Sequence, residues 1–221
     1  MRMVVLEEVE QVRAGFLKYT REAFLKLPRL ENPRILDVGC GSGVPTVELA
    51  KLSGGEVTGI DIDQSCIDDF NRKIREEHLS DRVEAFNISL AEMKFPDETF
   101  DIVWSEGVVG NIGFETSLKE WRRLLKRDGY LVIHYQMSRV ADVLPRIPQL
   151  GYSLTDTVAL PEDAWWTEFY KYIEEKMDML LKKYANNSNA LKLINQYKTE
   201  MDMVRKHLSN FSCAFYIMKK I

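Results

Sequence analysis

The stretch Arg34-Ile35-Leu36-Asp37-Val38-Gly39-Cys40-Gly41-Ser42-Gly43 constrains the fold more than any other part of the chain. An apolar strand runs through an acid into a turn with a glycine at every second position. Such a turn bends tightly and lets a flat ligand approach the main chain without meeting a Cβ, as the first strand-to-helix turn of a doubly wound α/β sheet does for a nucleotide. A dinucleotide suits the spacing poorly. The pyrophosphate fingerprint G-x-G-x-x-G puts its third glycine at position 44, which is Val44, and Asp37 would repel the pyrophosphate that a helix N-terminus otherwise favours. The same carboxylate attracts an ammonium group.

Glu56-Val57-Thr58-Gly59-Ile60-Asp61-Ile62-Asp63 is a second apolar strand ending in acid. Its distance from the turn, about 20 residues, is where a nucleotide fold holds ribose hydroxyls. Asp61 is the candidate, because a carboxylate accepts from two hydroxyls at once. Asp63 reads as the cap of a helix beginning near Gln64.

An acid followed by G-x-G-x-G at the end of strand one, with a second acid closing strand two, resembles the class I S-adenosylmethionine-dependent methyltransferases. The resemblance covers roughly residues 30–160 and the final strand, and is nearest the small-molecule branch that includes the ubiquinone/menaquinone-biosynthesis methyltransferases. It implies S-adenosyl-L-methionine as cofactor, S-adenosyl-L-homocysteine as product and a small-molecule acceptor. It sets Asp37 near the amino group of the methionine portion, directly or through water. It lays the turn of Gly39, Cys40, Gly41 and Gly43 against that portion and the ribose, gives Asp61 the ribose hydroxyls and makes Ile62 a wall for the adenine.

Two loops carry the rest of the resemblance. In the loop from Asn87 to Asp97, Ser89 stands where many relatives place an acid for the adenine amino group; its hydroxyl can also accept, and the Leu90 N–H can bond a ring nitrogen. Asp97 reads as a turn residue beside Pro96. The loop from Ser105 to Glu115 borders the methyl group and the acceptor, and Ser105 is counted among the cofactor contacts. Glu106 is a candidate catalytic residue, since a carboxylate favours a nearby sulfonium or orients a nucleophile; its plainer reading is an exposed or capping acid. His134, closing strand five, is a second candidate base, with a structural role as its alternative. The Asn/Asp-Pro-Pro-aromatic signature of exocyclic-amine methylation on nucleobases and glutamine side chains is missing from this loop, and no His/Asp/Glu cluster has metal-ligand spacing.

Charge and cysteines narrow the setting. A formal net charge of -4, with Lys and Arg scattered along the chain, offers no stripe for nucleic acid. No apolar run approaches bilayer length, and Glu7, Glu8 and Glu10 interrupt the only N-terminal stretch resembling a signal peptide, so a soluble protein is expected. Cys40, Cys66 and Cys213 are odd in number and far apart, which suggests a reducing cytoplasm.

The 221 residues suffice for one α/β domain with an embellishment. The expected fold is a doubly wound, Rossmann-like, mostly parallel seven-stranded sheet with an antiparallel last strand. Residues 1–30 form a helical lead-in from the spacing of Val5, Val9, Val12, Phe16, Tyr19, Ala23 and Leu27. Residues 31–160 and 211–221 make the core. Residues 161–210 form a helical hairpin before the last strand, which reads as a lid over the acceptor or, equally as an apolar face, as core packing or a homodimer contact. Trp165 is expected to turn toward the cleft and Trp166 to begin the packed face. Two other classes stay open: a cofactor-binding regulatory or partner subunit without turnover, and an aminopropyltransferase using a decarboxylated cofactor.

Overall fold

The computed structural model describes residues 7–221, so Val5 of the lead-in pattern lies outside the described residues. Helices α1 (Glu7–Arg13) and α2 (Leu17–Leu25) lead, through one 3-10 turn, to strand β1 (Arg34–Val38). Then follow α3 (Val44–Ser53), β2 (Glu56–Asp61), α4 (Gln64–Glu76), β3 (Val83–Asn87), β4 (Phe100–Glu106), α5 (Val109–Ile112), α6 (Phe114–Trp121), β5 (Leu125–Gln136) and β6 (Tyr152–Ala159). A π-helical turn (Trp166–Tyr170) runs into α7 (Lys171–Glu175), α8 (Met177–Lys183) and α9 (Ser188–Lys206), and β7 (Cys213–Lys220) ends the chain.

The strands form one sheet in the order β3-β2-β1-β4-β5-β7-β6. The β1–β2, β2–β3, β1–β4 and β4–β5 pairs are parallel, and β7 runs antiparallel to both β5 and β6. The expected fold class is therefore what the chain adopts. Strand order reverses between β1 and β4, which opens a crevice at their carboxyl ends.

Side-chain alternation along the strands splits the core into two clusters. Ile35, Ile102, Trp104, Val132, Phe215 and Ile217 face α2, α3 and α4, while Leu36, Val38, Val103, Leu131, Ile133 and Tyr216 face α6 and the segment before β6. By the same alternation Asp37, Glu106 and His134 share the first face. A third cluster lies off the sheet, where Val9 of α1 packs with Phe169, Tyr170, Ile173, Leu180, Ile194, Met201 and Val204 of the 161–210 segment.

Two elements differ from the sequence expectation. The sequence reads as helix over Ser117–Leu125, whereas α6 begins at Phe114, behind Gly113 at φ 87°, and stops at Trp121, because Leu125 already pairs with Phe100 in the sheet. The first arm of the hairpin is three short pieces. In an α-helix residues five apart point about 140° apart, whereas the wider π turn lets Trp165 and Tyr170 line the same cleft. The second arm is one helix, started by Asn187, whose side chain accepts the Ala190 N–H at 3.0 Å.

Candidate functional site

The glycine turn closes directly on the end of β2. The N–H groups of Gly39 and Cys40 donate to the Ile60 carbonyl at 2.9 and 3.0 Å, and Gly41 N–H donates to Asp61 Oδ2 at 2.9 Å. All three glycines have positive φ, and each does a different job. A Cβ at Gly43 would lie 2.0 Å from a ring carbon of Phe70, and one at Gly39 would lie 2.6 Å from Val108, so these two are needed for packing. A Cβ at Gly41 would meet nothing within 4 Å. Gly41 is the point at which main chain is open to an approaching ligand.

Asp61 uses both oxygens on backbone: Oδ2 on Gly41 and Oδ1 on the Asp63 N–H at 2.9 Å. Each oxygen keeps a second lone pair for a hydroxyl. Ile62, beside it, is 74% exposed, an apolar surface without a protein neighbour to cover it. Asp63 caps α4 by accepting from Ser65 and Cys66 N–H, as expected. Asp97 pairs with Arg123 at 3.0 Å. Leu90 opens a short 3-10 turn in the loop after β3, directly following Ser89.

Asp37 is buried and accepts the Thr46 hydroxyl of α3 at 2.6 Å. Burial, against the opposing Thr46 bond, pushes its carboxyl up to about 7, with the Glu106 and Asp61 carboxylates adding to the rise. The Cys40 thiol is also buried, and burial with the fields of Asp37 and Asp61 raises its pKa, so it is no nucleophile.

A cleft of about 280 Å³ opens from Asp37, Gly39 and Gly41 toward the N-terminal helices and the 161–210 segment. Glu106 and His134 line it and are register partners at the ends of β4 and β5. Glu106 Oε1 accepts from the Trp104 indole at 2.8 Å and from the Thr20 hydroxyl at 3.0 Å, while among the described residues no hydrogen bond reaches Oε2. Burial raises its pKa above the usual carboxylate value, and the two hydrogen bonds and Arg13 pull the other way. His134 is only 7% exposed, its ring 4.7 Å from that of Phe215, and burial pushes its pKa down to about 4. Its Nε2 is buried without a hydrogen-bond partner.

Ser105 takes a different place. One residue out of phase with Glu106, it points to the opposite face of β4, fully buried, and donates to the Val38 carbonyl at 2.9 Å. It ties β4 to β1 behind the turn, and the structure does not bring it into the cleft. Strand parity, read from Trp104 and Glu106, separates the two roles.

Sequence reasoning missed the lead-in helices as cleft walls. Thr20 holds Glu106, and Arg13, Phe16 and Tyr19 line the cleft. Glu10 of α1 receives the Ser42 hydroxyl of the glycine turn and pairs with Lys73 at 2.8 Å, and Lys73 also donates to the Ser42 carbonyl. The available signal was Thr20, a polar residue on the apolar stripe that carries Phe16 and Ala23. Trp165 faces the cleft as expected, packed 4.8 Å from Phe16 and bonded through its indole N–H to Cys213 Sγ at 3.4 Å. Trp166 is half-buried beneath the Arg205 guanidinium, 4.2 Å away.

Residues 36–133 match the family described as a methyltransferase domain. The chain is 33% identical over 105 residues to demethylmenaquinone methyltransferase of Bacillus subtilis, covering 46% of this chain and 45% of that protein. It is 34% identical over 102 residues to sterol 24-C-methyltransferase ERG6B of Gibberella zeae, covering 46% of this chain and 27% of that protein. The chain spans between 27% and 55% of the length of these and similar curated relatives. Among solved structures it superposes on an S-adenosylmethionine-dependent methyltransferase of Geobacter sulfurreducens, in complex with S-adenosyl-L-homocysteine, with a TM-score of 0.72 at 18% identity. That match covers 100% of this chain and 93% of the other, and shows a shared fold.

Proposed function

We propose that this chain, whose residues 36–133 match a methyltransferase domain, transfers a methyl group from S-adenosyl-L-methionine to a small-molecule acceptor. The carrying observation is the uncovered main chain at Gly41, set between a β2 carboxylate with lone pairs to spare and a cleft walled by Asp37, Glu106 and His134. These residues fit the cofactor. Its amino-acid end has an ammonium for Asp37, its ribose two hydroxyls for Asp61, and its adenine a flat apolar face for Ile62, with Ser89 and the Leu90 N–H at the ring edge. Gly39, Cys40 and Gly43 shape the turn beneath it. Bound there, the cofactor supplies a methyl group on a cationic sulfur.

The protein then has little covalent chemistry to perform. It aligns the acceptor in line with the methyl carbon and keeps water out, and Glu106 and His134 are the polar groups placed to do the aligning. Residues 161–210, with α1 and α2, cover the acceptor chamber and supply its aromatic walls, Phe16, Trp165 and Tyr170. Three buried free thiols suit a reducing, cytoplasmic setting. The homodimer contact expected of the insertion would use the apolar surface exposed at Tyr172, Met179 and Met203, which light scattering tests.

The test of turnover is transfer of labelled methyl groups to pools of small molecules. A labelled product whose yield at subsaturating cofactor falls in Asp61→Ala supports the reading. Binding of cofactor with no transfer to any pool would leave the non-catalytic subunit in its place.

A further inference from the structure

Glu106 and His134 leave two hydrogen-bonding atoms unmet on one wall of the cleft. They stand opposite each other in register on adjacent strands, about 4.8 Å apart along the sheet, and alternation turns both to the same face. Glu106 Oε1 is occupied by Trp104 and Thr20, which fixes the carboxylate and leaves Oε2 without a protein donor among the described residues. His134 Nε2 is buried without a partner. Nε2 is thus an unmet buried polar atom, and Oε2, on the half-buried Glu106, stands on the neighbouring strand without a protein donor among the described residues, so the wall suits a ligand that meets both.

The charge state of the pair selects the ligand. His134 is neutral across the physiological range, held there by burial, and so offers an acceptor lone pair at Nε2 when its proton sits on Nδ1. Glu106 is an acceptor when ionised; burial raises its pKa above the usual carboxylate value, while the bonds from Trp104 and Thr20 and the field of Arg13 oppose that rise. Arg13, the one Arg or Lys lining the cleft among the described residues, is itself exposed. Two acceptors side by side suit a group with two donors. A hydroxyl has one, and its ionised form would be repelled by Glu106.

Resting on the methyltransferase reading above, we propose that the acceptor is a primary amine carried on an aromatic or apolar body, held by Glu106 Oε2 and His134 Nε2 through its two N–H bonds. The amine binds neutral, the third proton of its ammonium form having passed to solvent. With both N–H bonds engaged, the nitrogen lone pair is the one direction left, and it faces the cofactor side of the cleft. The N–C bond forms as the methyl carbon–sulfur bond breaks, and the electron pair of that bond stays on sulfur. Positive charge thereby moves from sulfur to the nitrogen, now a secondary ammonium with two hydrogens, next to the Glu106 carboxylate. That shift is stabilised more in the transition state than in the ground state. Phe16, Trp165 and Tyr170 hold the apolar body.

The test is calorimetry on the full chain saturated with S-adenosyl-L-homocysteine. The probes are benzylamine, 2-phenylethylamine and tryptamine, each against its matched alcohol: benzyl alcohol, 2-phenylethanol and tryptophol. At least one amine is expected to bind ten times more tightly than its alcohol. Glu106→Gln and His134→Phe should each reduce that preference at least fivefold while changing homocysteine-cofactor affinity less than twofold. His134→Phe, which keeps a ring against Phe215 and removes the unmet nitrogen, is also expected to raise the melting temperature, so loss of amine preference there is not loss of fold. Equal or tighter binding of the alcohols, no binding of any amine to the cofactor-loaded protein, or preference unchanged in both variants overturns the proposal. Failure of S-adenosyl-L-homocysteine itself to bind would instead overturn the methyltransferase reading.

Discussion

In the proposed site, Asp37 should make cofactor binding depend on pH. With its folded pKa near 7 in the free protein, the carboxyl is neutral below that value and ionised above it, and only the carboxylate attracts the cofactor's ammonium. Affinity for S-adenosyl-L-homocysteine is therefore expected to fall as pH drops from 8 to 6, by roughly tenfold per unit once well below 7. Asp37→Asn should bind weakly at both values, without the slope, as calorimetry at pH 6 and 8 would show. The same group contributes stability that is full below its unfolded pKa and lost as pH rises through about 7. His134 has the opposite sign: its contribution is present above its unfolded pKa of about 6.5 and lost as pH falls through about 4, so the two partly offset in between. The glycines separate by substitution. Gly41→Ala should fold with a left-handed-backbone cost of about 1–2 kcal/mol and lose most cofactor affinity, because its Cβ points into open space. Gly43→Ala should lose more stability than Gly41→Ala in denaturant titrations, since its Cβ falls on the Phe70 ring. Asp61→Ala should weaken cofactor binding by about 1.5–3 kcal/mol, the range for hydrogen bonds to a charged group. It should also destabilise the free protein, because Asp61 holds the Gly41 and Asp63 N–H groups.

Among the elements, strands and the glycine turn were the most legible. Apolar runs bounded by Gly and Asp can be little else, and strand alternation, with Trp104 and Val132 in the core, puts Asp37, Glu106 and His134 on one face, a parity the motif reading of the sequence left unused. The same parity sets Ser105, counted from the sequence among the cofactor contacts, on the opposite face, where it bonds the Val38 carbonyl. The 161–210 arm was less legible, because an apolar stripe shows a helix but not a π turn, and the turn is what brings Trp165 and Tyr170 to one cleft. That geometry reverses the expected contrast between the two tryptophans. Trp165 packs on Phe16, Phe169 and Tyr170 and bonds Cys213, whereas Trp166, equally half-buried against the third cluster, stacks under the Arg205 guanidinium. Trp165→Ala should lower the melting temperature more than Trp166→Ala as well as impairing acceptor use. Equal melting temperatures would show that the aromatic cluster around Phe16 contributes little.

At the scale of the whole molecule, the lead-in helices join the two halves of the site. Glu10 grips Ser42 and Lys73 beside the cofactor turn, Thr20 grips Glu106, and Tyr19 donates to Glu168 of the insertion at 2.6 Å. Local sequence pattern pairs none of these residues across the chain, although Tyr19 and Thr20 on the apolar stripe of the lead-in already mark that face as packed. Through them, cofactor binding should slow hydrogen exchange in residues 7–25 and 164–175 as well as in the glycine turn. All of this depends on what the turn binds, and the direct measurement is titration of the protein with S-adenosyl-L-homocysteine and, separately, with NAD in the same calorimeter. Saturable binding of the former, weakened by about 1.5–3 kcal/mol in Asp61→Ala, with at least a hundredfold weaker binding of NAD is the expected result; tight NAD binding with no heat from the adenosyl ligand would contradict it.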